Sequence, residues 1–320
     1  MPAELALVTP ALAAANNGNW QTAKRWAGMW GADYVVDLMA QWQAGDQRCM
    51  VALHARRSAP SIRAWRRVHP TRPLVVVLTG TDLYRDIETD VDAQYSLAAA
   101  DRLVVLQPLA LQSLPAAYRA KTVVCVQSSP ARQPVAKTAR HLRALMVGHL
   151  RDEKSPETFF DAALALQQRP DIYLDHIGAA LDAALGARAV LLTAQLPHYR
   201  WLGERPHADT RRRIQAAHVL VHASRMEGGA HVVIEAVTSG TPVLASGIDG
   251  NVGLLGENYT GYFPHGNVAA LTSLLQACRD EPAMLEDLQR QCAARGALFE
   301  PSRERATLLK LIRSLLETTP

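Results

Sequence analysis

The chain has 320 residues, of which 48% are hydrophobic and 20% charged, and a formal net charge of +4. This composition is typical of a soluble globular protein, and the length exceeds the size at which one core usually keeps growing, so two domains are expected. No apolar run approaches the length needed to span a bilayer.

The first apolar stretch, at 5–15, ends in three alanines as a signal peptide would. Glu4 stands where a signal peptide carries positive charge, however, and Pro10 interrupts the stretch. We therefore predict a buried first strand at 5–8. The four cysteines are scattered without zinc-like spacing, which fits reduced thiols and predicts a cytoplasmic protein; they are Cys49, Cys125, Cys278 and Cys292.

Positive charge is concentrated in the N-terminal half of the chain. The net charge is +6 over residues 1–140 and −2 over residues 141–320. Residues 47–81 contain seven arginines and no acidic residue. This pattern favours an anionic partner, either a phosphorylated small molecule or a membrane surface, and a merely solvated basic face is the alternative. Nucleic acid is not expected, because aromatic residues for base stacking are sparse in this segment.

Short apolar runs alternate with helical patterns along the whole chain. Strands separated by helices imply parallel sheets, and a Ser/Pro/Gln-rich connection at 128–134 divides the series into two units with a cleft between them. Ligands of open α/β sheets bind beyond the carboxyl ends of the strands. The predicted strands are 5–8, 49–54, 74–79, 102–106, 122–127, 142–147, 171–177, 189–192, 219–222 and 242–245.

Several patterns argue against other chemistries. The G-x-G-x-x-G dinucleotide fingerprint is absent, and the glycines at 250–256 have a different spacing, which weighs against hydride transfer. Asp90 and Asp92 form a D-x-D triplet within a helix-like acidic stretch, and we interpret them as solvated surface. His218 and His222 lie on a predicted strand without the helical context of a zinc site, and we interpret them as packed core residues.

The most informative segment is 225–236, with the sequence RMEGGAHVVIEA. It places Glu227 and Glu235 eight residues apart, with two glycines after the first. We expect the preceding strand to break at Ser224 and a helix to start near Gly229, which would leave unpaired N–H groups as an anion site. Eight residues of helix rise about 12 Å, comparable to the reach from a sugar ring across a diphosphate to a ribose. The segment therefore suits a sugar nucleotide.

This spacing resembles the E-x7-E motif of retaining glycosyltransferases of the GT-B fold, and the resemblance extends over residues 145–270. It implies an α/β protein with two Rossmann-like parallel-sheet domains that face a central cleft. Residues 1–130 would bind the acceptor and residues 131–298 the nucleotide sugar. A C-terminal helix at 299–320 would pack back toward the N-terminal domain.

Residues 146–154, MVGHLRDEK, resemble the family loop whose arginine and lysine hold the donor diphosphate without a metal. Lys154 matches the lysine, whereas His149 occupies the arginine position and Arg151 is the alternative second contact. Glu227 would bind the sugar ring hydroxyls as a catalytic-site residue. The implied donor-binding residues are Gly148, Gly203, Gly228, Gly229, Ala230, His231 and Glu235.

A narrower resemblance, to the selenosugar synthases of selenoneine biosynthesis, covers nearly the whole chain. It implies transfer of an N-acetylhexosamine, from UDP-GlcNAc, to selenophosphate with formation of a carbon–selenium bond. UDP-sugar and selenophosphate would be substrates, no cofactor or metal would be needed, and the other selenoneine-pathway enzymes would be functional partners. The segments that carry it are 9–10, 16–20, 79–84, 148–154, 225–231, 250–256 and 259–263.

Selenophosphate is ionised and nucleophilic at neutral pH, so the reaction needs no strong general base. Loop residues of the N-terminal half would face the cleft and hold this acceptor, and basic side chains would contact its phosphate. The implied loop residues are Asn16, Gly18, Asn19, Thr81 and Asp82, and the basic ones are Lys24, Arg56 and Arg57.

Two other functions stay open at this point. A glycosyltransferase of the same fold could act on an oxygen acceptor of a lipid or small molecule. Ile62, Trp65 and Val68 have near-helical spacing within the basic segment and could lie on an anionic membrane. A non-catalytic sugar-nucleotide-binding protein is the other alternative, and the replacement of the family arginine by His149 favours it.

Overall fold

The computed structural model describes residues 4–12 and 18–317. The chain forms two compact units. Unit 1 consists of Met1–Ser128 with Pro301–Pro320, and unit 2 of Ser129–Glu300. In the described part of the chain, no helix is long and apolar enough to cross a membrane.

Unit 1 is built on a six-stranded parallel sheet in the order β2-β1-β3-β4-β5-β6. A π-helical turn, Asp82–Asp86, follows β4, and short 3-10 turns complete the connections. The strands and helices are β1 (Leu5–Val8), α1 (Gly18–Trp30), β2 (Val36–Met39), β3 (Cys49–Leu53), α2 (Ala59–Val68), β4 (Leu74–Leu78), α3 (Ile87–Thr89), α4 (Val91–Ala99), β5 (Arg102–Val105), α5 (Ala116–Arg119) and β6 (Thr122–Val124).

Both faces of this sheet are buried, as expected of a parallel sheet covered by helices. Leu5 and Leu7 of β1 pack on one face with Trp26 and Trp30 of α1. The alternate residues of β1 pack on the other face, where α2 contributes Ile62 and Trp65. Both of these α2 side chains are fully buried, so the interpretation that they lie on a membrane surface is wrong.

The C-terminal helix, Pro301–Glu317, belongs to unit 1 and packs against α1. Its Glu304 is buried and accepts hydrogen bonds from the Trp26 indole (2.6 Å), the Arg25 guanidinium and the hydroxyl and backbone N–H of Ser128. A buried carboxylate is stable only when it is paired in this way. Glu304 therefore ties the last helix to α1 and to the end of the N-terminal segment.

Unit 2 contains a second six-stranded parallel sheet, in the order β12-β11-β10-β7-β8-β9. Its elements are β7 (Leu142–Val147), α6 (Pro156–Ala165), β8 (Ile172–Ile177), α7 (Ala183–Gln195), β9 (Tyr199–Trp201), α8 (His207–Ala216), β10 (Val219–His222), α9 (His231–Val237), β11 (Val243–Ser246), α10 (Asp249–Leu255), β12 (Tyr262–Phe263), α11 (Val268–Asp280) and α12 (Pro282–Ala294).

The α/β prediction with parallel sheets is confirmed, but the predicted strand at 189–192 is wrong. Those residues lie within α7. The side chain of Asp182 caps this helix by accepting the N–H of Leu185, and the Ala- and Leu-rich sequence that follows favours a helix. The prediction also lacked β2, β9 and β12, which are short edge strands of the two sheets.

Candidate active site

The candidate site is built from loops that follow β7, β8, β9 and β10, at the carboxyl end of the unit 2 sheet. The loops are joined closely. Gly178 donates its N–H to the carbonyl of Gly203 (3.0 Å). A Cβ at Gly178 would lie 1.9 Å from the carbonyl oxygen of Gly148. Glycine is therefore required at 178 for the β7 and β8 loops to approach each other.

Lys154 and Glu227 form the centre of this site. Lys154 ends a 3-10 turn after β7, and its Nζ donates to Glu227 Oε1. His222, the last residue of β10, places Nε2 at 3.5 Å from the same oxygen and at 3.3 Å from Ser224 Oγ. Burial raises the pKa of Glu227, but Lys154 and His222 together outweigh it and hold the pKa well below its ordinary value. Glu227 is thus an anion between two nitrogen groups.

The sequence analysis interpreted His222 as a packed core residue and did not predict that it lies beside Glu227. The side chain is 2% exposed, yet its Nε2 faces the Glu227 carboxylate, while its buried Nδ1 has no partner among the described residues. The available signal was its place at the carboxyl end of a predicted strand, directly before the glutamate loop.

Gly250, in the glycine-containing segment after β11, supports the Glu227 loop. A Cβ at Gly250 would lie 2.2 Å from the Glu227 carbonyl oxygen. The side chain of Asn251 donates to the carbonyl of Ser246 (2.9 Å) and so fixes the start of α10 on β11. Gly250 and Asn251 therefore have packing roles in this segment.

Glu235 lies on α9 and is 4% exposed. His207 Nε2 is 2.6 Å from its Oε1, and His231 and Arg211 lie at 3.5 and 3.7 Å from the same atom. Burial raises the pKa of Glu235, but His207 and His231 outweigh it, so the net pKa is well below the ordinary value. Arg211 also donates to Ser129 Oγ and to the carbonyl of Pro130, which connects Glu235 to the start of unit 2.

The two glutamates do not share one helix. The helix α9 begins at His231, not near Gly229 as expected, and Glu227 lies in the loop before it. The loop instead runs through Gly228, Gly229 and Ala230. Their backbone N–H groups donate to no protein acceptor among the described residues. The sequence pattern misplaced the helix start because two adjacent glycines favour a loop over helix.

His149 follows Gly148 at the end of β7, and its Nδ1 accepts the N–H of Ala179 (3.1 Å). This contact requires an unprotonated Nδ1, so the ring is neutral with its proton on Nε2. Burial lowers the pKa of His149, and the charges of Arg151 and Lys154 lower it further against the opposing effect of Glu204. A positive charge on His149, which stands in the place of the family arginine, is therefore disfavoured. Arg151 is partly exposed, with its Nε 3.8 Å from Glu153.

In unit 1, the expectation that Asp82 contacts an acceptor is wrong. Asp82 is fully buried. Its Oδ1 accepts the N–H groups of Thr79 and Gly80, and its Oδ2 accepts the N–H of Ala55, each at 2.9 Å. The carboxylate therefore holds together the loops after β3 and β4 and has no surface left for a ligand.

The remaining unit 1 residues predicted to bind the acceptor differ in their surroundings. Thr81 is partly exposed, and its Oγ1 lies 3.1 Å from His54 Nε2. Arg56 is paired with Asp90 (3.0 Å). Gly18 and Asn19 begin α1, and Lys24 is exposed on the same helix. Asn16 lies outside the described residues.

The basic segment at 47–81 is largely neutralised. Five of its seven arginines pair with carboxylates, whereas Arg57 and Arg67 have no such partner among the described residues. Asp92 of the D-x-D triplet is one of these carboxylates, and Asp90 caps α4 by accepting the N–H groups of Asp92 and Ala93. Among the residues that the structure describes, no group of three or more His, Cys, Asp or Glu side chains could hold a metal ion.

A comparison with models of known protein families assigns this chain to a family. The family model described as "Glycosyl transferases group 1" matches residues 127–298, which is more than half of the chain. This range includes the Lys154 loop, Glu227 and Glu235.

Solved structures resemble between 84% and 98% of the chain. Sucrose-phosphate synthase from Thermosynechococcus elongatus has a TM-score of 0.79 at 19% identity, over 98% of this chain and 99% of that one. HepE from Anabaena, in complex with UDP and glucose, has a TM-score of 0.78 at 13% identity, over 98% of this chain and 100% of that one. A point mutant of TarM from S. aureus, in complex with fondaparinux, alpha-GlcNAc-glycerol and UDP, has a TM-score of 0.68 at 11% identity, over 84% and 55% of the two chains. The predicted GT-B fold with two parallel α/β sheets is confirmed.

Proposed function

Because the chain belongs to the group 1 glycosyl transferases, we propose that it transfers an N-acetylhexosamine from a UDP-linked donor to selenophosphate. UDP as the donor nucleotide is supported by the Anabaena and S. aureus structures, which were solved with UDP bound. Selenophosphate as the acceptor is supported by the segments that resemble the selenosugar synthases.

The observation that carries the proposal is the Lys154–Glu227–His222 cluster at the carboxyl end of the unit 2 sheet. In the reaction, the bond from the anomeric carbon to the diphosphate oxygen breaks, and its electron pair leaves with UDP. A selenium lone pair of selenophosphate forms the new bond to that carbon. The protein must therefore stabilise negative charge that develops on the diphosphate.

Lys154 supplies the cation for that charge. An ammonium group has three N–H donors, so Lys154 can keep its bond to Glu227 while another donor binds a diphosphate oxygen. The N–H groups of Gly228, Gly229 and Ala230 provide neutral donors for the same anion. The Nε2–H of His149 is a further neutral donor, in place of the charged arginine of the family.

Glu227 and Glu235 divide the recognition of the donor. In this proposal, Glu227 accepts hydrogen bonds from the sugar ring hydroxyls and Glu235 from the ribose hydroxyls. Both carboxylates stay ionised because neighbouring Lys and His side chains hold their pKa values low. Their partners thus keep them as acceptors throughout the neutral pH range.

Unit 1 binds the acceptor in this proposal, through Gly18, Asn19, Thr81 and Arg57. Arg57 has no carboxylate partner among the described residues, so its guanidinium is available for a phosphate. Arg56 contributes less, because Asp90 and Asp86 already neutralise it.

The proposal is tested by incubating the purified protein with selenophosphate and a panel of UDP-sugars. Mass spectrometry should detect a product with the isotope pattern of selenium and the mass of a hexosamine joined to it. The same panel with an alcohol or phosphate acceptor in place of selenophosphate is the control. A product formed only with oxygen acceptors would retain the glycosyltransferase and reject the selenium chemistry.

A further inference from the structure

A second group of charged side chains in unit 2 lines a cavity of about 190 Å3. Arg143, Arg200 and Arg213 line it together with Asp175, and Leu145 and Ala216 are among its apolar lining. Arg143 lies on β7, five residues before Gly148, which corresponds to about 16 Å along an extended chain. The cavity is therefore separate from the Lys154 loop at the other end of the same strand.

Asp175 organises this cavity. It is 3% exposed and lies in register with Leu145 on one side and Arg200 on the other. Arg200 donates to it through Nε (2.8 Å) and Nη2 (2.9 Å), and Arg143 through Nη1 (2.8 Å). Because the carboxylate is buried, it holds both guanidinium groups in fixed positions. The ring of Tyr173, 5.2 Å from the Arg143 guanidinium carbon, restrains Arg143 further.

The charges that line the cavity do not cancel. Three guanidinium groups face one carboxylate. Arg213 has its own partner, Asp209 (3.0 Å), but Arg212 shares that carboxylate at 3.1 Å. When Arg212 and Asp209 are counted as well, the group contains four arginines and two aspartates. A surplus of positive charge held in a concave site attracts a small anion.

Most guanidinium donors of these three arginines also have no protein acceptor among the described residues. Each guanidinium carries five N–H donors. In side-chain hydrogen bonds among the described residues, Arg143 donates one to Asp175, Arg200 donates two, and Arg213 donates one to Asp209. The planar arrangement of the remaining donors matches the oxygens of a phosphoryl or carboxylate group.

We propose that this arginine cavity, lined by Arg143, Arg200, Arg213 and Asp175, is a binding site for a small metabolite with a phosphoryl or carboxylate group. The charged group contacts the three guanidinium groups, and Leu145 and Ala216 contact the carbon skeleton. Its Arg213 lies on α8, the helix whose His207 and Arg211 contact Glu235. The cavity is independent of the proposed reaction, because none of its residues belongs to the Lys154–Glu227–His222 cluster.

Calorimetric titration of the full chain with inorganic phosphate, and separately with malonate, tests the site at constant ionic strength. The matched variants are Arg213→Gln and Arg212→Gln. Both remove one positive charge from α8 beside Asp209, but only Arg213 lines the cavity. Loss of a charge-assisted hydrogen bond is expected to weaken binding about tenfold or more in Arg213→Gln, with little change in Arg212→Gln. The ion that binds more tightly identifies the group.

Lys154→Ala distinguishes anion binding in the arginine cavity from anion binding at the proposed donor site. It removes a cation from the donor site and none from the cavity. We expect phosphate or malonate binding to persist in Lys154→Ala. The proposal is overturned if neither ion shows saturable binding, if the two arginine variants weaken binding equally, or if binding disappears in Lys154→Ala. Equal unfolding midpoints for the two arginine variants exclude a folding defect as the cause of a difference.

Discussion

Lys154 and Glu227 are paired through Nζ and Oε1, although they lie 73 residues apart on the loops after β7 and β10. His222 approaches the same carboxylate oxygen. The pair places one positive and one negative group side by side at the carboxyl end of the sheet. In the proposed reaction these groups have opposite tasks, because Lys154 binds the diphosphate and Glu227 binds the sugar.

Replacement of Lys154 tests the first task. In Lys154→Ala, turnover should fall by roughly two orders of magnitude or more, because one donor to developing charge contributes about 3–4 kcal/mol. The exposed Lys310→Ala is the surface control. If Lys154 served only to neutralise Glu227, the double variant Lys154→Ala/Glu227→Gln would be as active as Glu227→Gln alone. We expect the double variant to be less active than Glu227→Gln when steady-state turnover of the two single variants and the double variant is compared.

Glu235 should control donor affinity. In Glu235→Gln, hydrogen bonds from ribose hydroxyls to a charged acceptor become bonds to a neutral one, and the affinity for UDP should fall about tenfold. Calorimetry with UDP measures the change, and the exposed Glu257→Gln is the control. Unchanged UDP affinity in Glu235→Gln would reject the ribose assignment.

The lowered pKa of the Glu235 carboxylate should also make the free energy of unfolding sensitive to acid. Burial raises the pKa of Glu235, and His207 and His231 lower it to a net value below the ordinary 4.5. Such a group stabilises the folded state above pH 4.5 and loses that contribution as the pH falls toward its folded-state pKa. Urea unfolding followed between about pH 6 and 3 should show a steeper loss of stability for wild type than for Glu235→Gln. Parallel curves would contradict this origin of the acid sensitivity.

The sequence predicts the buried strands well because a strand covered on both faces is a continuous apolar run, as in Leu74–Leu78. It does not reveal β2, β9 or β12, since an edge strand pairs with only one neighbour and its apolar pattern is weaker. The run at 189–192 is as apolar as a strand, and the Asp182 cap and the Ala- and Leu-rich sequence around the run indicate the helix.

Within the site, spacing predicts Glu227 and Glu235, and the resemblance of residues 146–154 to the family loop predicts Lys154. The partners of these residues could not be predicted in the same way. His207 reaches Glu235 through tertiary packing, and no local pattern marks that contact. For His222, the only signal was its place at the end of a predicted strand, directly before the glutamate loop. For Asp82, by contrast, the sequence predicted a ligand contact that the structure contradicts. A polar residue after a strand suggested ligand contact, whereas its oxygens are occupied by backbone N–H groups.

Asp82 and Thr81 should therefore respond differently to substitution. Asp82→Asn cannot accept the same three N–H groups and leaves buried donors unpaired, which should lower the free energy of unfolding by about 1–3 kcal/mol. Thr81→Ala should raise the acceptor KM with a smaller loss of stability, because Thr81 is partly exposed. Urea unfolding and acceptor titration measure the two effects. An Asp82→Asn protein with native stability and a raised acceptor KM would restore Asp82 as a binding residue.

His149 offers the sharpest test, because its two ring nitrogens have separable roles. Nδ1 accepts the N–H of Ala179, and burial holds the pKa of the ring below its ordinary 6.5. The ring is then neutral at about pH 7 and above, so it should not shape the pH–rate profile there.

His149→Asn can keep an acceptor near the Nδ1 position, whereas His149→Gln can place a donor near the Nε2 position. We expect His149→Asn to retain stability but lose turnover, and His149→Gln to retain more turnover with a loss of about 1–2 kcal/mol in the free energy of unfolding. Because a proton on His149 favours the unfolded state, wild-type stability should decline below pH 6.5 more steeply than that of His149→Asn. If instead His149→Arg raised turnover and flattened a decline in rate above about pH 7, the position would act through positive charge, and the neutral assignment would be wrong.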